Sequence, residues 1–228
     1  MTSIIAIANI AGGTHKTTAA HSLSVATVEY GKKVLLIDLD PRAELTFNLG
    51  FERSRETIVE MLQGSSLAQS NDITTQERFD FIGADSRLAS INDVNCLKTF
   101  LSKVPNHYDV IIIDTSSQVD SRMAMAFNAA DAIVIPSDSS LHGIRGALNT
   151  VKIECSAKKY ILPIDQFAAE HSGLFADAIV LDALIPTNEE IDAAITLKRS
   201  ALTADKNSDF AQAYREAAYS LLEHLKFF

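Results

Sequence analysis

Lys16, Thr17 and Thr18 follow Gly12, Gly13, Thr14 and His15 in the stretch AGGTHKTT, directly after an apolar run. A strand, a glycine turn and a helix beginning near Lys16 would aim backbone N–H groups and the positive end of the helix at an anion. In that setting Lys16 suits the terminal phosphates of a nucleoside triphosphate, Thr17 suits Mg²⁺, and Thr18 suits a second phosphate. The pattern is not the strict G-x-x-x-x-G-K-[ST], because His15 stands where the second glycine belongs. Further along, Asp38, Asp40 and Asp114 each close an apolar run. Carboxylates so placed suit metal and water chemistry beside a phosphate.

Those residues need a frame that brings them to one edge. Val/Ile-rich runs over 3–9, 33–38, 79–84, 108–114 and 131–137 have the continuous apolar character of strands buried on both faces. Weaker sixth and seventh candidates lie at KYILPI and DAIVLDAL. Helices are expected over 17–30, 93–104 and 141–156. This alternation predicts one α/β domain over residues 1–228, with a mostly parallel central sheet and helices on both faces. Ligands in such sheets bind beyond the carboxyl ends of the strands, where the phosphate loop and the three aspartates fall.

Composition narrows the partners. A net charge of −9 gives no global attraction to nucleic acid or anionic lipid, so any DNA contact needs a local basic patch or a dimer that concentrates one. Cys96 and Cys155 are isolated, which argues against a disulfide framework, a zinc site or an iron–sulfur cluster within the chain. No apolar run approaches the roughly 18 residues of a membrane span. The expectation is a cytoplasmic protein that does not enter the membrane.

The loop resembles that of the ParA/MinD family of deviant Walker ATPases, which reads Lys-Gly-Gly-x-Gly-Lys-[Ser/Thr]-Thr. The likeness extends through VLLIDLDPRAELTFNLG and YDVIIIDTSSQVDSRMAMAFNAADAIVIPSD, and covers most of the chain, most weakly over 156–200. It implies a P-loop fold, ATP and Mg²⁺ as ligands, and an ATP-dependent homodimer. By position, Asp40 matches the residue that orients or activates the attacking water. Asp38 matches the magnesium region, and Asp114 the Walker B carboxylate that holds Mg²⁺ through water.

Ala11 falls where the family carries the signature lysine that reaches across the dimer to the partner's phosphates. A methyl group cannot replace it, so another cation is needed or turnover is impaired. Lys152, Arg145 and His15 are the candidates. Lys152 and Arg145 lie seven residues apart, on one face of the helix expected over 141–156. The McdA branch, which positions carboxysomes, resembles this chain in lacking the signature lysine and is thought to draw a lysine from this part of the fold. Lys152 is therefore the first choice, and His15 is expected to point to solvent at the tip of the loop.

The resemblance further implies non-specific binding to nucleoid DNA and a ParB-like or McdB-like adaptor that stimulates hydrolysis and resets the cycle. The most compact basic groups are Lys198-Arg199 with Lys206, and Lys158-Lys159. The stretch LIPTNEEIDAAI lacks the arginine that relatives often carry there. The last helix, with Phe210, Tyr214, Ala217, Leu221 and Leu225 in register, carries a polar face too mixed in sign for anionic lipid and is expected to pack on the body. Adenine would meet the loops at Ile164-Asp165 and Pro186-Thr187-Asn188. The competing function is a nucleotide-gated regulator with little turnover. A cluster carrier of the nitrogenase iron-protein type needs interface cysteines after the switch region, where this sequence has Ser116-Ser117.

Overall fold

The computed structural model describes residues 2–54, 56–65, 73–105, 107–165, 169–186 and 198–228. Seven strands form one sheet in the order β3-β2-β4-β1-β5-β6-β7. They are β1 (Ser3–Ile7), β2 (Val34–Leu39), β3 (Asp80–Ile82), β4 (Val110–Thr115), β5 (Ala132–Ser137), β6 (Lys158–Pro163) and β7 (Ile179–Val180). Every strand pairing is parallel. The helices are α1 (Lys16–Glu29), α2 (Glu44–Leu49), α3 (Ile58–Leu62), α4 (Cys96–Leu101), α5 (Ser121–Ala129), α6 (Leu141–Val151), α7 (Ala169–Ser172), α8 (Ala201–Ala204) and α9 (Asp209–His224).

Strand side chains alternate between two cores, as a sheet covered on both faces requires. Ile5, Ile7, Leu36, Ile112 and Val134 pack with α1 and α9, while Ala6, Ile37, Ile113 and Ile135 pack with residues of α3 to α6. On α9, Phe210, Tyr214, Ala217 and Leu221 are buried in the first core, so the helix lies on the body as its register predicts. Among the described residues no helix is long and apolar enough to cross a membrane. A buried pair ties α1 to α8: His21 Nε2 meets Glu77 Oε2 at 2.5 Å, and the other Glu77 oxygen accepts from the Ser200 N–H at 3.0 Å.

Two helices are shorter than their sequence patterns. The helix expected over 93–104 is confined to Cys96–Leu101, because the Asp93 carboxylate caps the Asn95 N–H at 2.9 Å in a turn that precedes it. The helix expected over 141–156 stops at Val151. There Lys159, from β6, donates to the carbonyls of Val151 at 2.5 Å and Ile153 at 2.7 Å. A cation on the last carbonyls satisfies orphan acceptors at the negative end of a helix.

Candidate functional site

Strand register builds the acidic half of the site. Asp38 of β2 and Asp114 of β4 are direct Cα partners, and Ile7, the last residue of β1, partners Asp114 on its other side. The phosphate loop leaves β1 at this level, so it opens over the two carboxylates. Asn9 anchors its start, donating to the Pro136 carbonyl at 2.8 Å and accepting from the Ala11 N–H at 2.8 Å. The Ile10 N–H donates to the Thr150 hydroxyl of α6 at 3.1 Å. Gly146 of α6 sits so close that a Cβ there would come within 2.4 Å of Ala11 Cβ.

Gly13 has φ +72° and His15 φ +60°, so the histidine keeps a left-handed conformation that glycine adopts at no steric cost. This is a local signature of the phosphate loop that survives the change of residue. His15 does not project into solvent as expected. It is half-buried between the phosphate cleft and a narrow pocket of about 10 Å³ that also meets Thr18, Ile164, Pro186 and Tyr214. Among the described residues the Tyr214 hydroxyl, buried there, has no partner. Of the two expected adenine loops, Ile164 and Pro186 therefore reach the rim of the site, and Thr187 and Asn188 lie outside the described residues.

The cleft proper, about 270 Å³, is lined by the loop from Gly12 to Thr18 together with Asp40, Arg42, Glu44 and Thr115. Lys16 is buried, and its Nζ donates to the Ala11 carbonyl at 2.9 Å. Burial lowers its pKa, with the Asp114 charge opposing that effect. Asp114 is 1% exposed and among the described residues its Oδ1 has no hydrogen-bond partner, while the nearby Thr17 hydroxyl favours its charged form. Burial raises the Asp114 pKa strongly, and Asp38 next to it adds to the rise. An orphaned, fully buried carboxylate oxygen beside a hydroxyl fits a divalent cation that would supply the missing charge. Among the described residues no three His, Cys, Asp or Glu side chains group as a metal cage. Mg²⁺ takes one or two protein oxygens and completes its shell with phosphates and water.

Asp38 is committed differently from the expectation of a metal ligand. Its Oδ1 accepts from the Asp40 N–H at 3.0 Å, and its Oδ2 accepts from the Thr46 N–H at 3.0 Å and the Thr46 hydroxyl at 2.7 Å. Burial pushes its pKa up to about 6 against these bonds. Its direct work is to tie the end of β2 to α2. Asp40 is buried at the cleft wall and faces Arg42, whose Nε and Nη2 reach its Oδ2 at 3.1 and 2.9 Å. Sequence reasoning missed Arg42. Its signal was a cation two residues after a candidate catalytic carboxylate.

The candidates for the displaced cation are placed but not brought into the cleft. Arg145 and Lys152 are exposed on α6 and at its end. They flank the contacts that Gly146 and Thr150 make with Ala11 and Ile10. Two basic groups are corrected by the structure. Lys159 is spent on the end of α6, and Lys198 lies over the Phe47 ring at 3.9 Å with its Nζ on the Phe47 carbonyl. Arg199, Lys206 and Lys158 remain exposed, and Lys206 stands beside Asp205.

An AAA-domain family matches residues 2–163. The sporulation initiation inhibitor protein Soj of Bacillus subtilis is 35% identical over 67% of the chain and 66% of its own length. The maintenance of carboxysome distribution protein A of Synechococcus elongatus is 31% identical over 65% of the chain and 63% of its own length. The chain thus spans a little under two thirds of the length of these two relatives. The septum site-determining protein MinD of Pyrococcus horikoshii, solved with Mg-ADP, superposes with a TM-score of 0.84 over 99% of this chain and 98% of its own, at 23% identity. Phosphate loop, paired strand-end carboxylates, parallel sheet and these likenesses agree: the chain belongs to the ParA/MinD family of P-loop ATPases.

Proposed function

We propose that the chain is an ATP-driven positioning or partition ATPase, cycling between a free form and an ATP-sandwich homodimer. The observation that carries this reading is the buried, partnerless oxygen of Asp114 beside the Thr17 hydroxyl, at the foot of a cleft lined by Lys16. Gly12, Gly13, Thr14 and His15 would present backbone N–H groups to the phosphates, with Thr18 at the rim. Lys16 would exchange the Ala11 carbonyl for phosphate oxygens. Thr17 and Asp114 would hold Mg²⁺, directly and through water, with Asp38 behind them tying the end of β2 to α2. Bound Mg²⁺ supplies charge neutralisation on the phosphate oxygens. Asp40 would orient the attacking water and accept its hydrogen bond.

The dimer has support at the same edge of the sheet. Val119, after β4, is 70% exposed, and Leu141, at the start of α6, is 73% exposed. Apolar side chains beside a nucleotide cleft suit a second copy closing over it. Lys152 would then replace the cation missing at Ala11. Such a cation supplied in trans is worth roughly 10³–10⁵ in rate in related phosphoryl chemistry. Non-specific nucleoid DNA and a ParB-like or McdB-like adaptor complete the proposed cycle. The cargo is a plasmid, a chromosomal region or a compartment such as a carboxysome. Arg199, Lys206 and Lys158 are exposed basic side chains that suit phosphate contacts, which would be salt-sensitive and blind to sequence.

The Arg42–Asp40 pair favours one second reading, a nucleotide-gated binder in which Asp40 stays engaged and turnover is negligible. One assay separates the two: Mg²⁺-ATP hydrolysis with and without DNA, for wild type, Asp40→Ala and Lys152→Ala. The ATPase reading expects turnover that falls by about 10³ or more in Lys152→Ala. It also expects Asp40→Ala to accumulate as an ATP-bound dimer. Unaffected turnover in Lys152→Ala removes that residue from the mechanism, and tight ATP binding without any turnover selects the gated binder.

A further inference from the structure

Arg42 is the one cation besides Lys16 among the described side chains lining the cleft's phosphate half, excluding His15. Around these two charges stand Asp40, Asp114 and Glu44, and both Lys16 and Arg42 feel them. A triphosphate adds further negative charge to a site in which Ala11 supplies none of the usual compensation. Arg42 is also close enough to Lys16 for its charge to lower the Lys16 pKa. Among the described residues its guanidinium bonds one side chain, Asp40, through a fork that matches a phosphate as well as a carboxylate.

The pairing is built to be reversible. The Arg42 side chain is 68% exposed, so water competes for its end of the pair while the Asp40 end stays buried. The backbone beneath it is fixed by other bonds. The Asp40 N–H sits on Asp38, the Ala43 N–H on the Asp40 carbonyl at 2.9 Å, and Ala43 is set in a left-handed turn at φ +54°. Moving the guanidinium therefore needs side-chain rotations only. In the pose seen here, Arg42 also covers Asp40, the carboxylate that must face water for hydrolysis.

We propose that Arg42 is the triphosphate sensor of this site: it pairs with Asp40 in the nucleotide-free protein and transfers its fork to the terminal phosphate of bound ATP. That transfer supplies in cis a charge that Ala11 cannot, and it frees Asp40 only when a third phosphate is present. ADP, lacking that phosphate, leaves the pair intact. The inference rests on the nucleotide reading above, and it adds to Lys152 a cation from the same chain.

The test is a binding cycle, independent of turnover. Affinities for a non-hydrolysable ATP analogue and for ADP, both with Mg²⁺, are measured by calorimetry on wild type, Arg42→Gln, Asp40→Asn and the double variant. Arg42→Gln should bind the analogue about ten- to a hundredfold more weakly, the worth of a charge-assisted fork, with ADP affinity unchanged. Arg42→Lys should recover part of the loss. Asp40→Asn, which removes the competitor for the fork, should tighten analogue binding, and that gain should vanish in the double variant. Unchanged analogue affinity in Arg42→Gln, or equal losses for analogue and ADP, overturns the proposal. Wild-type protein that binds neither nucleotide overturns the site reading itself, and this inference falls with it.

Discussion

Gly146→Ala is the sharpest test of how the phosphate loop is held. In most helices this change helps, because alanine is about 1 kcal/mol better than glycine in a helix interior. Here the new methyl would lie 2.4 Å from Ala11 Cβ, 2.4 Å from Asn9 Oδ1 and 2.9 Å from the Ala11 nitrogen. Carbon atoms settle at about 3.5–4.0 Å, so helix and loop must part by about 1 Å. Overpacking of this kind costs about 1–3 kcal/mol, and a weakened Asn9–Ala11 bond adds about 1 more. Set against the helix gain, the net loss is about 1–3 kcal/mol. For a chain of this size that lowers the melting temperature by roughly 3–10 °C. Displacing Ala11 also displaces the carbonyl that holds Lys16, so affinity for Mg-nucleotide should fall about tenfold or more. Thermal melts and nucleotide titrations check both effects, with exposed Asn149→Ala on the same helix as the propensity control. A Gly146→Ala protein that melts higher than wild type and binds nucleotide normally would falsify the claim that α6 clamps the loop.

Asp114→Asn should raise the melting temperature of the nucleotide-free protein, because it removes a buried charge with an unpaired oxygen, a cost of about 1–3 kcal/mol. The same variant should lose Mg²⁺-dependent nucleotide binding, and a lower melting temperature would contradict the placement of Asp114 as a site strained by its own charge. Stability should also rise as pH falls from 7 to 5. Asp38, pushed up to about 6, and Asp114, also raised, bind protons more tightly folded than unfolded, so the gain begins near pH 6 and is complete near the unfolded value of about 3.9. Asp85, held at about 2 by Arg87, and the lowered Glu77 act in the opposite sense only in more acidic solution. Melts of the nucleotide-free protein across this range should show the rise and Asp38→Asn should flatten it; a fall in wild type refutes the assignment.

Much of the fold could be read along the chain because its strands are buried on both faces. Continuous runs such as VLLID and VIIID announce that burial, and all five main strand expectations have counterparts in the sheet. Short elements were not legible in the same way. In α2 and α3, six and five residues offer too little periodicity; α2 is tied by a tertiary bond, Thr46 on Asp38, and α3 starts at a local capping box of Thr57 with Glu60. The last helix was legible because sixteen residues carry a clear apolar stripe.

For the site, residue type and spacing were enough to nominate Lys16, Thr17 and the strand-end carboxylates, since phosphate binding imposes a local chain geometry. Pairings across the sheet and between helices needed three dimensions. Strand register sets Asp38 beside Asp114, burial in the assembled sheet raises both pKa values, and only packing buries Ala11 under Gly146. Lys159 and Lys198 look in the chain like free basic charges, yet one closes α6 and the other grips Phe47. Local chemistry is written in neighbouring residues, whereas a side chain's partners depend on distant segments that meet only once the sheet has assembled. Arg42 lies between these limits: its place beside Asp40 is local, but its share in the phosphate cleft is decided by the loop arriving from β1.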